Sequence, residues 1–186
     1  MQISVIIPVY NAEAFVREAV ESALAQPETA EVVLVEDGSP DGSLAVCMEL
    51  AEKHPTVRLY RHPNGANRGA GASRNLGILK SRFEYIAFLD ADDFYLPGRF
   101  STARELFALD PTLDGVYEAI GTHIEDQAGN KQWRATGKPA NYLTTIKQRI
   151  APDHLFEKLC GEYIGHFSLD GLVVKRTVFE RAGLFD

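Results

Sequence analysis

Cysteine is nearly absent: Cys47 and Cys160 are the only two, and they stand far apart in sequence. Cys47 falls in an apolar helical pattern, which reads as a buried reduced thiol and not as half of a disulfide framework. No Cys or His cluster has zinc-ligand spacing. Basic residues form no block, and the formal net charge is −7. Non-specific nucleic-acid binding, which needs Lys and Arg to neutralise phosphates, is thereby excluded as a reading. No apolar run approaches the ~20 residues of a membrane span. The opening run Ile3-Ser4-Val5-Ile6-Ile7 is too short for a signal h-region and has no basic lead. Repeats, low-complexity tracts and linkers are also missing. The 186 residues therefore read as a single domain with a cytoplasmic default.

What is present is a hydrophobic content of 45%, enough for a core, and a regular alternation of patterns. Short β-branched runs at 3–9, 31–36, 57–60 and 85–89 read as buried strands. Between them, residues 12–25, 43–54 and 69–81 read as helices, the first with Asn11 as its N-cap. Residues 96–109 read as a further helix led by Pro97. This alternation predicts an α/β fold with a mostly parallel sheet covered on both faces. Right-handed crossovers would line up the strand C-terminal ends along one edge, where such sheets bind ligands. Beyond residue 115 the pattern weakens. A strand at 116–125, a hairpin turn at 126–130, a mixed or helical 141–159, a strand at 167–175 and a short helix at 177–182 are expected.

Four polar motifs leave the strands. Pro8-Val9-Tyr10-Asn11 puts an aromatic ring at the exit of the first, where it could stack on a nucleobase. Taken alone, it is also an ordinary strand end followed by a helix cap. Glu36-Asp37-Gly38-Ser39 follows the second strand; its carboxylates can accept a base N–H or a ribose hydroxyl, or simply form an acidic turn. Asn67-Arg68-Gly69-Ala70-Gly71-Ala72-Ser73-Arg74-Asn75-Leu76-Gly77 is a small-residue helix start. Its N-terminus favours anions, and Arg68 or Arg74 could add a charged contact to phosphate. The alternative is tight packing of that helix. Most informative is Ile86-Ala87-Phe88-Leu89-Asp90-Ala91-Asp92-Asp93, an apolar strand ending in three carboxylates within four positions. Such crowding repels unless a cation sits among the oxygens, and hard divalent cations take oxygen ligands. An exposed acidic turn is the plain alternative.

The ordered succession Pro-Val-Tyr-Asn, Glu-Asp-Gly-Ser, Asn-x-Gly-x-x-x-x-Arg-Asn-x-Gly and Asp-Ala-Asp-Asp resembles the family 2 glycosyltransferases, which have the GT-A nucleotide-sugar-binding fold. The resemblance is close over residues 3 to about 100. It continues weakly through Val173-Val174-Lys175-Arg176 and Ala182-Gly183-Leu184-Phe185-Asp186. Ser73 stands where the family more often has alanine.

The resemblance implies a single catalytic domain over 1–186, with a nucleotide-binding half at 1–110 and a partial acceptor-side half at 111–186. It implies that Pro8, Tyr10, Asn11 and Glu13 lie about the nucleotide, with Tyr10 against the base, usually uracil. Asp37 would hydrogen-bond the base, and Arg68 and Arg74 would count among the nucleotide-binding residues. Asp90 and Asp92 would serve ribose and metal. The triplet allows two alignments, so Asp92 and Asp93 are both metal candidates, for Mn2+ or Mg2+. The implied reaction is inverting transfer of a sugar from a nucleotide-diphosphate sugar to a glycan, lipid-linked or protein acceptor. Membrane contact would come only through the acceptor or through regions outside the chain, at the inner face. The family's general base follows the segment that Asp186 matches, so it is expected beyond Asp186, and this piece alone is expected to be a weak catalyst or inactive. His166 and Asp170 are the acceptor-side candidates within the chain, and Trp133 could line a sugar site.

Two rivals stand beside this reading. A nucleotidyltransferase shares the carboxylate–metal logic but needs a basic glycine-rich loop after the first strand, where Tyr10-Asn11-Ala12-Glu13 stands instead. A non-catalytic domain that only holds a nucleotide or assembles with others would keep the same pocket.

Overall fold

The computed structural model describes residues 1–124, 127–137, 142–143, 150–151, 153–154, 157–158 and 167–186. Its contacts fall into two compact units: Met1–Val116 with Leu172–Asp186, and Tyr117–Gly171.

The first unit is built on a mixed, mostly parallel sheet. Strands β1 (Ile3–Val9), β2 (Thr29–Glu36), β3 (Val57–Arg61), β4 (Tyr85–Phe88), β5 (Gly115–Tyr117) and β6 (Leu172–Lys175) stand in the order β3-β2-β1-β4-β6-β5. β1 pairs in parallel with β2 and β4, and β2 with β3; β6 runs antiparallel to β4. The β1 register sets Val5 beside Val32 and Ala87, and Ile6 beside Val33 and Phe88. Continuous apolar runs suit strands buried on both faces, and side chains alternate between them. Ile3, Val5, Ile7, Val32, Leu34 and Ala87 share a core with α1 (Val16–Leu24), α2 (Ser43–Lys53) and α4 (Ser101–Leu109). The alternate positions face α3 (Gly69–Lys80), where Gly77 lies against Ile6. On that face Phe88 meets Phe185 and Phe179, the latter from α6 (Thr177–Ala182), edge to face.

Cys47 is a free thiol on the buried face of α2, as its apolar setting predicts. Burial, with the negative Glu36 and Asp41 behind it, pushes the thiol up to about 12. Cys160 lies outside the described residues.

Helix starts differ from the sequence expectation in two places, for the same reason. α1 begins at Val16, not at residue 12, and Asn11 caps nothing: it takes φ +53. The amides of Ala12 and Glu13 are instead bound by Ser43 Oγ at 2.9 Å, from the first residue of α2, and by Asp41 Oδ2 at 3.0 Å, from the loop before it. α4 begins at Ser101, past Gly98 at φ +77, not at Pro97. Gln26, buried at the end of α1, accepts from Arg99 N–H at 3.1 Å and donates to Leu96 carbonyl at 3.2 Å. Tertiary hydrogen bonds thus replace the first turn of each expected helix.

The second unit carries α5 (Gln127–Ala135) where a hairpin turn was expected over 126–130. Trp133 lies on that helix, its ring 6.1 Å from that of Tyr142. The expected strand at 116–125 is limited to β5, and a 3-10 turn at Leu169–Gly171 precedes β6 where strand was expected from 167. Most of the expected 141–159 segment lies outside the described residues. No helix among the described residues is long and apolar enough to cross a membrane.

At the strand N-terminal side, Glu31 is fully buried. It accepts from Ser4 Oγ at 2.8 Å, Arg82 N–H at 2.6 Å, Arg82 Nε at 2.8 Å and Arg58 Nη1 at 3.2 Å. Burial opposes its charge, but these donors outweigh burial and hold the carboxyl below its ordinary value. A depressed carboxyl contributes stability that is full above its unfolded value, about 4.3, and lost as pH falls through the folded value. Urea midpoints of wild type and Glu31→Gln should therefore differ most near pH 7 and converge in acid; a pH-independent gap would refute this. Gly77→Ala should cost about 1–3 kcal/mol in the same assay, because the new methyl collides with Ile6 Cγ2.

Candidate active site

Chain order reverses at β1: β2 and β3 lie on one side and β4 on the other. A crevice opens at such a switch point, outside the carboxyl ends of the strands. Here it is a cavity of about 410 Å³. The β1 exit lines it with Pro8, Tyr10 and Asn11, the β2 exit with Asp37, and the β4 exit with Asp90 and Asp92. The start of α3 adds Asn67, Gly69, Ala70 and Arg74. Four sequence motifs thus converge on one cavity.

Asp37 organises the far wall. It is buried, and its two oxygens accept the backbone N–H groups of Arg68 (2.7 Å) and Gly69 (2.8 Å) at the start of α3. A carboxylate at a helix N-terminus satisfies orphan donors and offsets the positive end of the helix dipole. His62 Nε2 lies 3.6 Å from Asp37 Oδ1 and 3.0 Å from Ser73 Oγ, so the serine at the family's alanine position has a partner. The turn after Asp37 needs Gly38 at φ +73, where a Cβ would press on the Gly65 carbonyl. Glu36, fully buried, accepts from Ser39 N–H at 2.5 Å and from Arg61 Nε at 2.6 Å. Burial works against its charge, and these donors more than offset it, leaving the carboxyl below its ordinary value.

The near wall is the loop after β4. Arg74 Nη2 donates to Asp90 Oδ1 at 2.5 Å. Asp93 N–H donates to the Asp90 carbonyl at 3.1 Å, closing a turn. That turn lets Asp90 and Asp93 each offer a carboxylate oxygen within 4.8 Å of the other. Hard oxygen donors of this kind suit Mn2+ or Mg2+, and Asp92 adds a third carboxylate at the cavity wall. α1 holds the loop from behind. Ser22 Oγ accepts from Tyr95 N–H at 3.0 Å, and Tyr95 Oη donates to the Phe88 carbonyl at 2.5 Å.

Tyr10 is 54% exposed, so its ring is open to a ligand. The β1 and β2 exits are stitched together: Asn11 N–H donates to Ser39 Oγ at 3.1 Å, and Gly42 N–H to Glu13 Oε2 at 2.9 Å. Glu13 therefore holds a neighbouring loop and does not line the cavity. Arg68 contributes its backbone N–H to Asp37; the residue is exposed and is not among those that line the cavity. Asp170 sits in the 3-10 turn Leu169–Gly171, and His166 lies outside the described residues. Sequence reasoning missed Asn75, which holds Phe185 reciprocally: Asn75 Nδ2 donates to the Phe185 carbonyl at 2.7 Å and Asn75 Oδ1 accepts Phe185 N–H at 2.9 Å. It also missed Ser22, Gln26 and His62. Only Asn75, inside a motif, carried any local signal.

The profile of glycosyl transferase family 2 matches residues 4–170. The chain belongs to this family. Among the family's curated relatives, it is 38% identical over 169 residues to the minor teichoic acid biosynthesis protein GgaB of Bacillus subtilis, a match over 87% of this chain and 18% of GgaB. The fold is similar to that of S. aureus TarS in complex with UDP, with TM-score 0.66 and 19% identity over 100% of this chain and 50% of that one. It is also similar to the mannosyltransferase PcManGT of Pyrobaculum calidifontis in complex with GDP-Man and Mn2+, with TM-score 0.66 and 22% identity over 100% of this chain and 47% of that one. The chain spans well under two thirds of the length of the curated relatives it first matches. As a family 2 domain of GT-A architecture, it meets the fold expected from its motifs.

Asp37→Ala should leave two amides at the start of α3 without their acceptor, for a loss of about 2 kcal/mol in urea unfolding. Hydrogen exchange at Arg68 and Gly69 should speed up beyond the global change. Unchanged protection there would show that Asp37 does not anchor the helix.

Proposed function

We propose that this domain transfers a sugar from a nucleotide-diphosphate sugar, a UDP-sugar first among them, to an acceptor hydroxyl with inversion and with Mn2+ or Mg2+ as cofactor. The observation that carries the reading is the convergence of Tyr10, Asp37, Arg74, Asp90 and Asp92 on one switch-point cavity. The solved relatives support a diphosphate donor but divide on the base, one holding UDP and the other GDP-Man.

The roles are those the family resemblance implies, and the convergence of these side chains supports them. The exposed Tyr10 ring offers its face to the base. Asp37 spends one lone pair of each oxygen on α3 and keeps others for a base N–H. Asp90 and Asp92 would serve ribose and metal, and Asp93 would be the alternative metal ligand. A bound divalent cation supplies charge stabilisation for the departing diphosphate. The acceptor is a glycan, a lipid-linked glycan or a protein; similarity to GgaB, a minor teichoic acid biosynthesis protein, favours a glycan. Asn75 lays the Phe185–Asp186 backbone along Gly71, one residue from Ala70 of the cavity wall. Residues 1–110 would serve the donor and 111–186 the acceptor.

The nucleotidyltransferase rival lacks support, since no Lys or Arg stands in the β1 exit. Titration calorimetry with UDP and GDP, each with and without MnCl2, tests the proposal. One diphosphate should bind in a metal-dependent way that EDTA reverses, and Asp90→Ala should weaken it at least about tenfold. Failure of both diphosphates to bind in the presence of metal would overturn it.

A further inference from the structure

The carboxylate that the donor reading assigns to ribose and metal already has a cation on it. Arg74 Nη2 donates to Asp90 Oδ1 at 2.5 Å, and both residues line the same cavity. The Arg74 side chain is 15% exposed and its Nε is buried with no acceptor; the Asp90 side chain is 42% exposed. A guanidinium does not lose its proton in a protein, so it stays charged here, largely withdrawn from water, with a donor to spare. A buried donor without an acceptor favours any move that finds it one.

Two further facts fix what that acceptor would be. The start of α3 would ordinarily attract an anion, but Asp37 already takes the amides of Arg68 and Gly69 and places a negative charge there. And Arg74 is the one Arg or Lys among the described residues that line the cavity. Among the described residues, an incoming diphosphate therefore has a single side-chain cation on the cavity wall to meet, and it is paired with Asp90. A divalent cation approaching Asp90 meets the same guanidinium as a repulsive neighbour.

We propose that Arg74 exchanges partners: before a donor binds it neutralises Asp90 and holds off the metal, and when a nucleoside diphosphate arrives it turns to the phosphate oxygens and releases Asp90. This rests on the donor reading above. Arg74 is then a positioning residue that couples two ligands, and the coupling is reciprocal by linkage. The divalent ion is disfavoured without the diphosphate and favoured with it.

The test is Mn2+ binding, followed by calorimetry or by the electron paramagnetic resonance of free Mn2+, on wild type, Arg74→Gln and Arg74→Lys, each with and without UDP and GDP. Arg74→Gln should bind Mn2+ about tenfold more tightly than wild type when no nucleotide is present. It should also gain less from added diphosphate. Arg74→Lys, which keeps the charge but not the planar fork, should fall between them. Equal or weaker nucleotide-free Mn2+ binding by Arg74→Gln, with diphosphate still raising wild-type affinity, would overturn the exchange and leave the donor reading intact. Absence of Mn2+ and diphosphate binding from wild type as well as both variants would overturn both. Circular dichroism checks that each variant folds; should Arg74→Gln fail, Arg74→Lys against wild type decides by the same criterion.

Discussion

The site depends on one carboxylate grasping the start of one helix. Asp37 leaves the end of β2 and binds the first amides of α3 through both oxygens. That contact fixes where α3 begins, and so where Asn67, Gly69, Ala70 and Arg74 stand against the loops after β1 and β4. Further along, the missing side chain of Gly77 lets α3 lie close on β1, and Asn75 uses the same helix to grip Phe185. A single helix therefore carries the back of the cavity, the guanidinium facing Asp90 and the seat of the Phe185 segment. Its position is set at one end by charge and at the other by steric fit.

The architecture was largely legible because a parallel sheet writes itself as uninterrupted β-branched runs. The four motifs were legible as a set because topology delivers strand exits to one edge. What stayed hidden is what one element does to another across a long sequence separation. Asn11 looks like a helix cap locally, yet Ser43 and Asp41 take over the amides it would have organised. Pro97 looks like a helix start, yet Gln26 claims the backbone around it. The turn signals near residue 128 lost to a helix because glycine and asparagine tolerate both states, and tertiary context chose.

Within the site, the sequence showed which residue types gather but not how they divide the work. Glu13 lies in a motif and binds a neighbouring loop; Arg68 lies in a motif and gives its backbone N–H to Asp37. Ser73, a small departure from the family's usual alanine, proves to face His62 behind Asp37. Side-chain direction at a helix start is decided by packing, and no spacing rule reports it.

The place of β6 has a bearing on how the chain comes to be folded. β4 is central in the finished sheet, yet its second neighbour, β6, belongs to the last part of the described chain, beyond the whole Tyr117–Gly171 unit. During synthesis β1 through β4 can assemble with their helices while one edge of β4 stays unpaired. An open apolar edge is a template for wrong partners. The Asp90–Asp93 loop springs from the end of that same strand. The acidic cluster thus follows a strand whose second partner, Leu172–Lys175, is the last strand of the described chain.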